Sequence, residues 1–309
     1  MRRRTAALVA VVALGTSALV ASGSPSSAAP VVAATASAEG DLMPFGPAGG
    51  TVEGLAVEVL EDPALATTTD ASGHWRIDGI PVGSSATFSL HGDVRYPIQT
   101  ATFTMPVGGL ERVSFQSPSR TIVGAFESYL HITSDPASCH LASTVTRQGY
   151  SLYGGAPDGT HGEPGATVSI SPRPSRGGTP IYFNGSRFDT IWPDRSLSET
   201  TADGGVLFVN VAPGTYTLTA HKAGATIEPV TVTCRAGVLT NASPPHGLQV
   251  TSGGLGPTDT VPFPTATTTP PTTTTTSTTT SVPSTSGSAT SGAGARPAQP
   301  VPATPSYAG

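Results

Sequence analysis

Charge is scarce in this chain, and helical patterning is scarcer. Only 11% of its 309 residues are Asp, Glu, Lys or Arg, and no Lys/Arg cluster occurs after the first four residues. A nucleic-acid binder needs a basic footprint, so that class is excluded, as is a polybasic membrane patch. Gly-x-Ser-x-Gly and Cys-x-x-Cys are missing, which removes the nucleophile elbow of one hydrolase class and the commonest redox motif. No window after the N-terminus sustains a helical apolar period, whereas 36 glycines and 30 prolines point to short strands joined by many turns.

The N-terminus is different. Arg2-Arg3-Arg4 precede an apolar run from Ala6 to Ala21 and then small residues, including Ala36-Ser37-Ala38. This is the pattern of a secretory signal peptide, read here over residues 1–38. The run falls short of the roughly twenty apolar residues of a retained anchor. Cleavage is expected after Ala38 in preference to Ala29, because Pro30 would sit badly just after a cut. No cysteine follows the run to carry a lipid. The expected mature chain is secreted, extracellular or cell-wall associated, with no membrane contact after cleavage. Loss of three arginines leaves twelve basic against twenty acidic residues, a balance of −8.

Thr67 to Gly83, TTTDASGHWRIDGIPVG, packs a turn, an alternating strand and a second turn into one stretch. Asp70-Ala71-Ser72-Gly73 reverses the chain, His74-Trp75-Arg76-Ile77 alternates with period two, and Ala86 to Leu90 resumes the alternation. Downstream, Thr200 to Gly205, Val206 to Val209, Val211-Ala212-Pro213-Gly214 and Tyr216 to His221 repeat the order. About 130 residues separate the copies, which excludes a short-period solenoid.

These residues resemble the carboxypeptidase regulatory-like, or transthyretin-like, family of small β-sandwiches, in which a Thr-Asp-x-x-Gly turn leads into a strand and a Leu/Ile-Pro-x-Gly turn. The resemblance implies an all-β chain of two tandem Greek-key-type sandwiches, and it carries over no catalytic residue and no cofactor. The first module is placed at 42–118, with Trp75, Ile77, Phe88, Phe103 and Phe115 as its core. The second is placed at 122–250, with a loop inserted between Gly185 and Ser198; Asn241 to Pro245 is expected to lead out of regular structure. Residues 251–309 are rich in Thr, Ser and Pro and read as a disordered spacer, since they cannot bury enough apolar area to offset ordering entropy.

Cys139 and Cys234, the only cysteines, are expected to form a disulfide in a secreted chain. His131, His140 and His161, with Asp135, Asp158 or Glu163, are the only candidates for a metal, but lack ligand spacing, so no metal is expected. Asp189, Asp194 and Glu199 are read as solvated loop acids rather than a glycosidase pair. Asn184-Gly-Ser and Asn241-Ala-Ser are glycosylation sequons. Tyr182, Phe188, Trp192 and Arg195 are the candidate ligand contacts: they either form a stacking surface for a sugar or peptide, or fill space beneath the inserted loop. The expected function is a secreted, non-catalytic structural or binding module recognising cell-wall or extracellular polysaccharide or a protein partner. The alternative is a secreted hydrolase or metal-dependent enzyme built on the second module's loops.

Overall fold

The repeated turn is the seed of both halves. Thr69 Oγ accepts from the Leu55 amide at 3.0 Å and donates to the Val52 carbonyl, while the Leu55 carbonyl takes the Thr69 amide. Asp70 Oδ1 accepts from the Ser72 hydroxyl at 2.6 Å, Ser72 N at 2.8 Å and His74 N at 3.0 Å, bonds that hold its carboxyl below the usual range, the hydroxyl most of all. In the second copy Thr200 Oγ accepts from Ala166 N at 2.9 Å and donates to Glu163 O at 2.6 Å, and the Thr201 hydroxyl takes the place of the Asp70 carboxylate, accepting from Asp203 N at 3.3 Å. Gly73 and Gly204 close the turns at φ 87° and 76°, where a Cβ would be strained. The repeat therefore also includes Val52-Glu53-Gly54 and Glu163-Pro164-Gly165.

The computed structural model describes residues 34–45, 50–154, 160–185, 191–256 and 259. All of them fall in the first of two units, Met1–Pro264. Most of the leader (1–33), Asp158, Phe188 and, of the Thr/Pro-rich tail, residues 257–258 and 260–309 lie outside the described residues.

The strands of the first half are β1 (Thr35–Phe45), β2 (Ala56–Val59), β3 (Asp62–Thr68), β4 (His74–Pro81), β5 (Ser85–His91), β6 (Ile98–Thr104) and β7 (Phe115–Pro118). A helix, α1 (Arg120–Leu130), follows. The second half adds β8 (Cys139–Thr144), β9 (Thr167–Ser171), β10 (Ile181–Asn184), β11 (Trp192–Asp194), β12 (Gly205–Val211), β13 (Gly214–His221), β14 (Thr226–Ile227), β15 (Val230–Cys234), β16 (Leu239–Ala242) and β17 (Val250–Ser252).

Each half is a two-sheet sandwich with its own core. In the first, β4-β1-β7 packs on β6-β5-β2-β3 around Trp75, Ile77, Phe88 and Phe115, all buried, with Phe103 half-buried against them. In the second, β12-β8-β16 packs on β15-β13-β9 around Leu141, Phe208, Leu218 and Val232. The halves match strand for strand: β1 pairs antiparallel with β4 and parallel with β7, as β8 does with β12 and β16. They are also fused. β16 pairs in parallel with β6, setting Leu239 opposite Ile98, Thr240 opposite Gln99 and Asn241 opposite Thr100, so one nine-stranded sheet runs β11-β10-β12-β8-β16-β6-β5-β2-β3 through both cores. All four β16 residues are buried. Gln99 Nε2 donates to Thr233 O at 2.6 Å and Thr240 Oγ at 3.0 Å, and its Oε1 accepts from Arg235 at 3.1 Å.

Three expectations need correction. The chain does not leave regular structure at Asn241; that residue lies in a central strand, 2% exposed, with Oδ1 accepting from Gln116 N at 3.1 Å and from the Ser243 hydroxyl at 2.8 Å. A short, half-polar strand was illegible because its partners in β8 and β6 lie far away in the chain, as in the pairs Leu239–His140 and Leu239–Ile98. A helix does follow the leader: α1 is capped by Ser119, whose Oγ accepts from Ile122 N, and ends on His131 in the left-handed region. Thr121, Ile122, Val123 and Gly124 are poor helix formers, and packing of Ile122, Phe126 and Leu130 overrides them. The first sandwich begins at Thr35, not Leu42. A cut after Ala38 would remove four residues of β1, including the fully buried Ala38 that pairs with Ile77; a cut after Ala29 leaves the strand whole.

Two further ties close the second sandwich. The chain's only lysine, Lys222, pairs with the fully buried Glu163, whose two oxygens also accept from Leu255 N at 3.1 Å. Removing one partner of such a pair costs about 3–5 kcal/mol. Cys139 and Cys234 form a disulfide 95 residues apart in sequence, joining β8 of one sheet to β15 of the other. Loop entropy puts its stabilisation at about 4.7 kcal/mol as an upper figure. The Cys139→Ser/Cys234→Ser double variant is expected to lower the urea midpoint of unfolding, with a loss of about 2–5 kcal/mol; an unchanged midpoint would mean the bond adds nothing to the sandwich.

Candidate functional site

Strand alternation builds a cavity on the outer face of the second sandwich. Cys139 and Leu141 of β8 and Val206 and Phe208 of β12 point into the core, so by the period of two His140, Ala142, Thr144, Gly205, Leu207 and Val209 face the other way. Among the described residues no second sheet covers this face. Instead α1 lies over it, with Phe45 at the end of β1 and Gln116 and Pro118 of β7 completing the wall. The cavity, partly open to solvent, has a volume of about 80 Å³.

Phe45, Phe126 and Phe183 meet edge to face at the rim, with ring centroids 5.7–6.0 Å apart. Trp192 continues the seam, 5.4 Å from Phe126 and 5.7 Å from Tyr129. Tyr129 is 53% exposed.

Asp203 is the chemically distinctive lining residue. It is 6% exposed, and one oxygen accepts from Gly205 N at 3.0 Å; the other has no hydrogen-bond partner among the described residues. Burial pushes its carboxyl up to about 7 against the smaller opposing effect of that bond. His140 lies elsewhere in the lining. Its Nδ1 accepts from Asn210 N at 3.3 Å, so Nε2 carries the proton and donates to Ser134 Oγ at 2.9 Å. That tautomer cannot take a proton from Ser134, and burial lowers the imidazole's basicity further. The Ser–His pair is a fastening between the segment after α1 and β8, not a general-base dyad.

The four residues singled out from sequence do not converge. Tyr182 is 2% exposed in the second core, its hydroxyl accepting from Val168 N at 2.8 Å. Trp192 is half-buried at the cavity rim, and Arg195 is exposed beyond it. Phe188 lies outside the described residues. Phe183, one residue on from Tyr182, faces the cavity. The candidate metal ligands are dispersed: His131 caps α1, His161 is buried and pulled down to about 4 by burial and Arg147, Asp135 pairs with Arg176, and Glu163 holds Lys222. Among the described residues no group of three or more His, Cys, Asp or Glu could hold a metal ion. Sequence reasoning missed Asp203 and Phe126. Aligning the two turns sets Asp203 opposite Ser72 and marks an acid in place of a serine, but not that the one is buried and the other exposed.

No family model and no curated protein matches the chain. Among solved structures, the minor pilin GBS52 of Streptococcus agalactiae is similar over 73% of this chain and 99% of its own, at 12% identity and a TM-score of 0.22. The shaft pilin SpaA of Lactobacillus rhamnosus GG is similar over 72% and 99%, at 12% identity and 0.20. The Bacillus anthracis TIE protein is similar over 70% of this chain and 34% of its own, at 12% identity and 0.20, so the chain spans about a third of that protein.

Between the ordinary carboxylate range and about 7 the unfolded chain has released the Asp203 proton while the folded chain still holds it. Stability from this residue therefore falls as pH rises through that window, by at most about 4 kcal/mol. His140 and His161, both lowered by burial, act in the opposite sense. The Asp203→Asn variant isolates the acid: its melting temperature relative to wild type is expected to rise from pH 5 to pH 8, and a constant difference would rule out a buried titrating carboxyl.

Proposed function

We propose that the chain is a secreted, surface or matrix-associated, non-catalytic module in which two carboxypeptidase regulatory-like sandwiches act as one stiff body. The supporting observation is the parallel β6–β16 junction, which carries a single sheet through two separate cores and is locked by Gln99. A linker between domains would leave hinge freedom, whereas backbone pairing with every β16 residue buried leaves little. The signal-peptide pattern supports export, and the pairing of β1 from Thr35 with the burial of Ala38 favours a leader that ends at Ala29. The expected tail boundary at 251 is set too early, since Val250–Ser252 form β17 and Leu255 N is held by Glu163; the Thr/Pro-rich residues 260–309 then serve as a spacer.

Two measurements test this reading. Calorimetry of residues 30–256 is expected to give one cooperative transition, and Thr240→Pro, which deletes a backbone donor in a central strand, is expected to split it into two. Two transitions in the wild type would sink the single-body reading. The exposed Tyr129 beside Trp192 supports this rim as the surface for an extracellular polysaccharide or protein partner. Titration with purified cell-wall polysaccharide is expected to give a saturable tryptophan fluorescence change that Trp192→Phe abolishes; a change that survives in that variant would place the contact elsewhere.

A further inference from the structure

Asp203 is an acid the fold does not need. In the repeated turn the capping acceptor is the residue two earlier, Asp70 in one copy and Thr201 in the other. The position of Asp203 itself is held in the first copy by Ser72, in solvent. The second oxygen has no protein partner among the described residues but keeps some contact with solvent, and an ionised carboxylate in a residue only 6% exposed is costly unless something compensates it. Nothing described does: the lining residues include Glu127 as a second acid and no Lys or Arg. The wall beside it is the three-ring cluster of Phe45, Phe126 and Phe183, whose π faces favour cations. At about 80 Å³ the cavity is several times what one water needs, roughly 10–15 Å³.

We propose that the cavity beneath α1 binds a small organic ammonium ion, its nitrogen on the Asp203 carboxylate and its apolar body against the Phe45–Phe126–Phe183 wall. The charge of the site selects a cation, the aromatic rim selects an apolar body, and the volume limits it to a few heavy atoms. Bound cation favours ionised Asp203, so affinity rises with pH through the range in which that carboxyl titrates. Glu127, His140 and Tyr96 are the other titratable groups lining the cavity.

The test uses two probes of one shape, tert-butylammonium and tert-butyl alcohol, titrated into the mature protein at pH 8 with binding read by calorimetry and backbone NMR shifts. The ammonium ion is expected to bind at least tenfold tighter than the alcohol, with shifts on α1, β8 and β12. Asp203→Asn is expected to bring the two affinities together, whereas Glu127→Gln leaves them apart. Ala142→Leu, which fills the cavity without touching charge, is expected to abolish binding of both. Equal affinities in the wild type overturn the proposal whether or not the Asp203 variant folds. So do a preference that survives Asp203→Asn and binding unaffected by Ala142→Leu.

Discussion

The junction between β6 and β16 is the constraint on which the rest depends. β16 is four residues long, polar in half of its side chains, and flanked in parallel by β8 and β6, which come from different sandwiches. Parallel neighbours leave both faces of a strand covered, so its amide and side-chain groups must all find partners. Gln99, Thr240, Asn241 and Ser243 supply them, reaching Thr233, Arg235 and Gln116 across the two halves. Hydrogen bonds that cross from one core to the other are what make a tandem repeat into one body.

That fusion also creates the site. Because β7 and the end of β1 project past the first sandwich, they overhang the outer face of β12-β8-β16. A third sheet does not fit there, and the connection from β7 to β8 fills the gap as a capped amphipathic helix. A cavity remains beneath α1. The described aromatic side chains of this stretch divide between two jobs: Tyr182 faces the second core, and Phe183 and Trp192 face the helix.

Two buried acids of the second sandwich show opposite settlements of one electrostatic cost. Glu163 is fully buried and its charge is met by Lys222 and by the Leu255 amide, which ties the residues after β17 to the repeat's first turn. Asp203 has a single amide donor and a raised pKa. The first arrangement serves the fold, and the second leaves a charge poised for a partner from outside.

By itself the sequence determined the class of the molecule, the duplicated turns, the alternating strands behind them, four buried residues of the first core and the cysteine pair. Those features are local or compositional: a Thr-Asp-x-x-Gly turn satisfies its own backbone, period two follows from the pleat, and two cysteines allow one intramolecular bond. Tertiary structure alone decided that Leu239–Ala242 is a central strand, that Arg120–Leu130 is a helix despite weak propensity, and that Asp203 is buried while its counterpart Ser72 is not. Each of these rests on contacts between residues far apart in the chain, where the free energy comes from burial and from paired polar groups that neither neighbour in sequence can supply.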